Sequence, residues 1–293
     1  MSTTHAISRS RVSGLIAITI VAVLAAPAAA QNSPSAGPEV VAFAGGIDVV
    51  SAYMFRGVRQ NSTGLAIWPF GDIAVRAYSS DGPLKRVAFN VGFWNSLNTG
   101  DTGSDGPSRN LWYESRVYAA LGLRFGRGVS VATSYTTYTS PNDLFTTAKE
   151  IGVRLSVDDN LTFAGTAVHP YALVAFEVDA DPGVGQLDGG SRGGKYFEVG
   201  ATPSFTATRA GVSFPVKVGL SLDDYYELAD HDNRFGFVSV ASILTVPLGR
   251  KSGAGQLSLH GGVEFQALGE TTKVFNGGDR SKVSAVLGVG LAR

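Results

Sequence analysis

The chain has no cysteine among its 293 residues, only two methionines, and little charge, with Asp, Glu, Lys and Arg together at 16% against roughly 25% in an ordinary soluble domain. Without cysteine there are no disulfide frameworks, thiol nucleophiles or thiolate metal sites. Scarce charge implies that a medium other than water meets part of the surface. Neither sign dominates, with 24 basic and 24 acidic residues, so there is no basic stripe of the kind that binds nucleic acid. After the first 30 residues no segment approaches the run of about 18 apolar residues that a membrane helix needs. If the mature chain crosses a bilayer, it does so as strands.

What is present begins with an export signal. Arg9 and Arg11 precede an apolar run from Leu15 to Ala26, and Ala28 and Ala30 form an A-x-A end, which predicts a secretory signal over 1–30 with cleavage after Ala30. A Pro/Ser/Gly-rich stretch follows, so residues 31–42 read as a flexible leader and 43–293 as a single domain.

That domain is written in period two. In IDVVSAYMFRGVRQN, Ile47 to Asn61, the odd positions Ile47, Val49, Ser51, Tyr53 and Phe55 oppose Asp48 and Arg56, the pattern of one strand with an apolar and a charged face. Val87, Phe89, Val91 and Phe93 likewise oppose Arg86 and Asn90, although Trp94 falls on the polar side. Tyr113, Val117, Ala119 and Leu121 oppose Glu114 and Arg116, and Ile151, Val153 and Leu155 oppose Glu150 and Arg154. Twelve such strands are predicted. Asp158, Asp159 and Asn160 read as a tight hairpin turn between strands six and seven, and His169 with Pro170 as a break within strand seven.

Ser51, Tyr53, Phe55, Arg56, Gly57, Val58 and Gln60 resemble the S-x-Y-x-F-R-G-[IV]-x-Q segment near the mature N-terminus of the bacterial TorF family of porins. Phe197 to Gly200 and the Pro247, Leu248 strand end have a similar flavour. The resemblance implies an outer-membrane barrel more than it implies a substrate. It also implies an aromatic C-terminal residue, where this sequence has Gly290, Leu291, Ala292, Arg293.

Connections after the even-numbered strands tend to be short, and most after the odd-numbered ones long and polar, as periplasmic turns and extracellular loops are. The expected fold is therefore all-β: an antiparallel transmembrane β-barrel of about twelve strands with both termini in the periplasm. Period two alone also fits a soluble barrel with its apolar side inward. Under the membrane reading, the lumen-facing candidates are Asp48, Arg56, Asp72, Arg76, Glu114, Arg116, Arg124, Glu150, Arg154, Glu198, Lys217 and Glu264. Their mixed sign offers no ring that would select strongly for anions or cations. Lys149 and Lys195 fall on the apolar side, which is tolerable near strand ends, where they can snorkel.

The function expected is passive diffusion of small polar solutes or ions across the outer membrane, with lipid and lipopolysaccharide as surroundings and no cofactor. One alternative is a non-conducting structural or surface-binding barrel whose ion pairs fill the interior. A third reading, an outer-membrane hydrolase, would need a His beside a nucleophile. After cleavage only His169, His231 and His260 remain, and each reads better as a solvated or satisfied histidine. Asp223, Asp224, Glu227, Asp230 and Asp232 crowd one loop but match no EF-hand spacing, so a solvated loop is the expectation there and no metal site is assigned. In the same loop Tyr225 and Tyr226 are candidates for a rim contact with ligand or lipopolysaccharide.

Overall fold

The computed structural model describes residues 40–102, 111–159, 167–178, 193–206, 210–228, 231–253 and 255–293. The span read as signal sequence, residues 1–30, lies outside them. Twelve strands form the wall: β1 (Val41–Val50), β2 (Ala66–Ser79), β3 (Leu84–Asn98), β4 (Trp112–Phe125), β5 (Val129–Thr139), β6 (Ala148–Val157), β7 (Tyr171–Val178), β8 (Lys195–Ala201), β9 (Val216–Asp223), β10 (Phe235–Ser252), β11 (Gly255–Leu268) and β12 (Ser281–Ala292). Each pairs antiparallel with its sequence neighbours, and β12 pairs with β1 to close the ring. Closure leaves no open sheet edge.

The pleat gives the wall two unlike faces. Along β3, Ala88, Asn90, Gly92 and Trp94 are buried while Phe89, Val91 and Phe93 are exposed, Val91 to 59%. The same alternation leaves Ile73, Val117, Val153, Val240, Val263 and Leu287 bare around the ring. A water-soluble monomer rarely exposes a contiguous apolar patch above a few hundred Å², so a continuous apolar belt is the face of a wall in hydrocarbon. Most strands reach or exceed the roughly 9 to 11 residues that a tilted strand needs to span a bilayer. The shorter β8 and β9 are extended by Ser204–Thr206 and Gly211–Ser213, which pair with each other. Lys149 and Lys195 are the second and first residues of their strands, where a lysine can reach water.

Several sequence-level expectations are corrected. β1 begins at Val41, inside the span read as leader, and ends at Val50. The rest of the stretch to Asn61 does not continue the wall. Tyr53 and Phe55, expected on the apolar outer side, are buried within the barrel, with Tyr53 at 0% exposure. In β4, Tyr113 is also buried. Pairing slips between Ser96 and Leu97, so that Ser96 faces Glu114 while Leu97 faces Trp112, and the extra residue of this bulge turns inward beside Glu114.

The hairpin at Asp158 to Asn160 is replaced by a longer connection, since β7 begins at Tyr171; residues 160–166 lie outside the described residues. The Asp159 carboxylate accepts the backbone N–H groups of Val168 and His169 at 2.9 and 2.8 Å. His169 adopts φ +48°, and Pro170 donates no ladder bond, so pairing starts only after them. The short/long rhythm of the connections therefore fails after β6. Pro215 similarly separates Gly211–Ser213 from β9.

Candidate functional site

Everything that bears on function converges inside the ring, and the segment leaving β1 organises it. Ser51 is the last residue tied to the wall, exchanging hydrogen bonds with the backbone of Ala285. The chain then turns into the barrel as a two-rung ribbon, Met54 opposite Arg59 and Phe55 opposite Val58. Arg56 and Gly57 form its tip with φ of +46° and +86°. Two left-handed residues between paired strands make the type I′ geometry that continues the strand twist. Gly57 suits the second place, because a Cβ there would lie 3.0 Å from the Phe237 ring and 3.1 Å from Thr272.

The hairpin reaches across to the opposite wall. The Arg56 guanidinium donates to both Glu150 oxygens, at 2.6 and 2.9 Å, and to the Tyr225 hydroxyl at 2.7 Å. It lies 4.0 Å from the centre of the Tyr196 ring. Tyr53 donates to Glu114 at 2.7 Å, and Arg116 donates to both Glu114 and the Tyr53 hydroxyl. The Phe55 ring is contacted by both guanidiniums, 5.1 Å from that of Arg56 and 4.6 Å from that of Arg116. A forked, stacked guanidinium is held by geometry as well as charge, which lysine could not reproduce.

Two further connections close over this hairpin. Tyr225 and Tyr226, between β9 and β10, point inward and are buried, so they are not rim contacts. Tyr226 donates to the Arg56 carbonyl at 2.9 Å. Burial pushes both phenols well above their ordinary pKa, so they remain neutral donors. The helix α1 (Glu270–Phe275) follows β11. Thr271 and Thr272 on it are fully buried, and Asn276 just beyond donates to the Gly57 carbonyl at 2.8 Å.

The rest of the interior, down to the end that carries both termini, is polar as well. Asp48 meets His260 at 2.8 Å. These residues stand on β1 and β11, each paired with Gly288 of the intervening β12, and they bridge over it. Glu198 accepts from Tyr171 and Tyr196 at 2.7 and 2.6 Å, and Lys217 lies 3.7 Å from Glu264. Arg154 sits 3.5 Å from the centre of the Tyr171 ring. Asp72 accepts from Asn90 and Tyr118, both at 3.0 Å. Arg124 meets Asp158 at 2.7 Å, and Arg76 and Arg86 stand half-buried near it on β2 and β3. A Cβ at Gly288 would lie 2.1 Å from Asp48 Oδ1 and 2.6 Å from His260 Nε2. Gly288→Ala is therefore expected to lower the urea unfolding midpoint, with a loss of about 1–3 kcal/mol, as overpacking of a filled interior does.

Of the twelve residues singled out in the sequence, Arg56 and Glu150 meet directly, as do Glu114 with Arg116 and Lys217 with Glu264. Asp48 takes a histidine, Arg124 an aspartate outside the set, and Asp72 and Glu198 take neutral donors. Arg56 is not a wall residue at all. Sequence reasoning missed Tyr53, Phe55, Tyr225, Tyr226 and Asn276 as interior groups. Two adjacent tyrosines in an otherwise polar loop were the available signal, since bulky rings rarely stay in water without a partner. Within the acidic loop, Asp223 pairs with Lys195 at 2.6 Å and Asp230 lies outside the described residues. No cluster of three metal-ligating side chains occurs among the described residues.

A closed antiparallel ring with an apolar outside and an ionised inside has the architecture of outer-membrane barrels. No protein-family model matches the chain, and no curated protein matches it. Among solved structures it is similar to an outer membrane channel from Pseudomonas putida F1, with TM-score 0.50 at 11% identity over 90% of this chain and 100% of that one. It is also similar to the NanC porin (TM-score 0.42, 15% identity, 86% and 98% covered) and to the translocator domain of autotransporter NalP from Neisseria meningitidis (TM-score 0.40, 11% identity, 88% and 90% covered). The first of these shows that the fold is that of an outer-membrane channel.

Proposed function

We propose that this chain is an outer-membrane barrel, exported by residues 1–30, through which small polar solutes or ions diffuse passively along a charge-lined interior. The observation that carries this reading is the division of side chains by medium. Ionised and hydrogen-bonding groups are gathered inside a closed wall whose outside offers lipid a mainly apolar surface. The 51–61 hairpin, Tyr225, Tyr226 and α1 narrow the path at the end opposite the termini. On this reading a solute passes there beside fixed charges of both signs, which suits small hydrated solutes and excludes bulky ones. The segment that builds the hairpin is the one resembling TorF-family porins, which supports assigning the chain to that group.

The tightness of the same packing favours a second reading, a barrel whose filled interior conducts nothing and whose role is structural. Planar-bilayer recording separates the two. The channel reading expects small, discrete steps from the intact protein, and larger steps once residues 53–60 are replaced by a short glycine-serine linker. If neither protein gives steps at any voltage, the structural reading stands.

A further inference from the structure

The 51–61 hairpin does not fill the barrel evenly. Its hydrogen bonds run to Glu114 of β4, Glu150 of β6, Tyr225, Tyr226 and Asn276, and Tyr53 and Phe55 pack with Trp94, Tyr113 and Tyr138 on the β2–β6 flank. Among the described residues, no hydrogen bond from the hairpin beyond Ser51 reaches β10, β11 or β12. A cavity with room for about one water lies on this second flank, between Ala52, Met54 and Trp68 on one side and Ala241, Glu264 and Ser284 on the other. The last three form one row across the wall, because Glu264 pairs with Ala241 of β10 and with Ser284 of β12. Glu264 is the one ionised group among the described residues that border the cavity. Both of its bonds end on one oxygen: Ser239 donates to Oε1, and Lys217 stands 3.7 Å from the same atom. Oε2 has no partner among the described residues, and neither has the Ser284 hydroxyl. Two residues further along the same face of β11, the Gln266 side-chain oxygen is buried without a partner as well.

We propose that solutes descend along this flank, between the hairpin and β10 to β12, and that Glu264 and Ser284 form a passing site there for small monovalent cations such as ammonium or potassium. A carboxylate oxygen largely withdrawn from water and faced by no donor favours a cation that supplies the missing charge. The Ser284 hydroxyl, directly across the strand pair, offers a second oxygen in place of lost hydration water. Lys217, which does not border the cavity, keeps a positive charge near Oε1, so that a cation binds weakly enough to leave. The site rests on the channel reading, to which it adds the flank taken by the path and the sign of charge preferred.

The test is planar-bilayer recording of the detergent-folded protein. In a potassium chloride gradient wild type is expected to pass potassium in preference to chloride, and Glu264→Gln to lower that permeability ratio by about twofold or more. The chain has no cysteine, so Ser284→Cys places a single thiol on the path. Silver ions, close to potassium in size and bound by thiolate, are then expected to cut the steps by about half or more in potassium nitrate. Ala148→Cys, buried in the aromatic packing of the opposite flank, is expected to respond to silver no more than wild type does. Heat-modifiable gel migration shows that each variant is folded. Steps that silver leaves unchanged in Ser284→Cys, or cuts as deeply in Ala148→Cys, would overturn the route. An unchanged permeability ratio in Glu264→Gln would overturn the cation site. Either result leaves the channel reading in place, whereas a wild type that gives no steps at any voltage overturns that reading and the site together.

Discussion

Replacing Arg56 by alanine is expected to lower the stability of the folded barrel by about 3–5 kcal/mol, the cost of leaving one member of a buried pair uncompensated, and to enlarge the single-channel step. Arg56 and Glu150 are both buried and doubly bonded to each other. Removing the guanidinium leaves the Glu150 carboxylate with only the Tyr138 hydroxyl at 3.2 Å among its described partners. The tip also loses its bond to Tyr225 and its stacking on Tyr196, so the hairpin is no longer held against the far wall. Arg56→Lys restores charge without the fork and should recover part of the stability but not the wild-type step size. Urea unfolding in lipid vesicles measures the first effect and planar-bilayer recording the second. A variant with unchanged stability and unchanged steps would show that the hairpin is not anchored through this pair.

The second large effect is expected on the opposite face. Val91 stands near the middle of β3 and points outward. In hydrocarbon, Val91→Arg should cost about 2–4 kcal/mol. On a wall bathed in water, such a surface change would be worth no more than about 0.5 kcal/mol. Reversible unfolding from vesicles gives the number. A near-zero cost would place water at that position and remove the basis for the membrane reading.

The strands were legible because alternation is local: it predicts strands over Arg86–Leu97, Val129–Thr139 and Lys282–Ala292, and β3, β5 and β12 run over Leu84–Asn98, Val129–Thr139 and Ser281–Ala292. The inward hairpin was not, because Ser51, Tyr53 and Phe55 continue the alternation of β1 past the point where the chain leaves the wall. Only the left-handed Arg56–Gly57 pair marks the turn, and an Arg-Gly dipeptide is a weaker signal than Asn-Gly or Asp-Gly. Tyr113 was misassigned for a related reason, since a bulge puts adjacent residues on one side and a period-two count assumes it cannot. The charged residues set on one face of the strands are buried or half-buried inside the ring. Their partners were beyond reach of the sequence: Asp48 meets His260 only because β12 closes on β1, and Arg56 meets Glu150 only because its segment crosses the interior.

The most direct measurement exploits the absence of cysteine. Single cysteines introduced from Val87 to Trp94 can each carry one spin label, scored for collision with oxygen dissolved in lipid and with a water-soluble nickel chelate. Labels at 87, 89, 91 and 93 should collide with oxygen and be shielded from the chelate, and labels at 88, 90, 92 and 94 should not show this preference for oxygen. Labels at the odd positions that met the chelate freely would contradict a hydrocarbon-facing wall, and with it the account of what the interior charges are for.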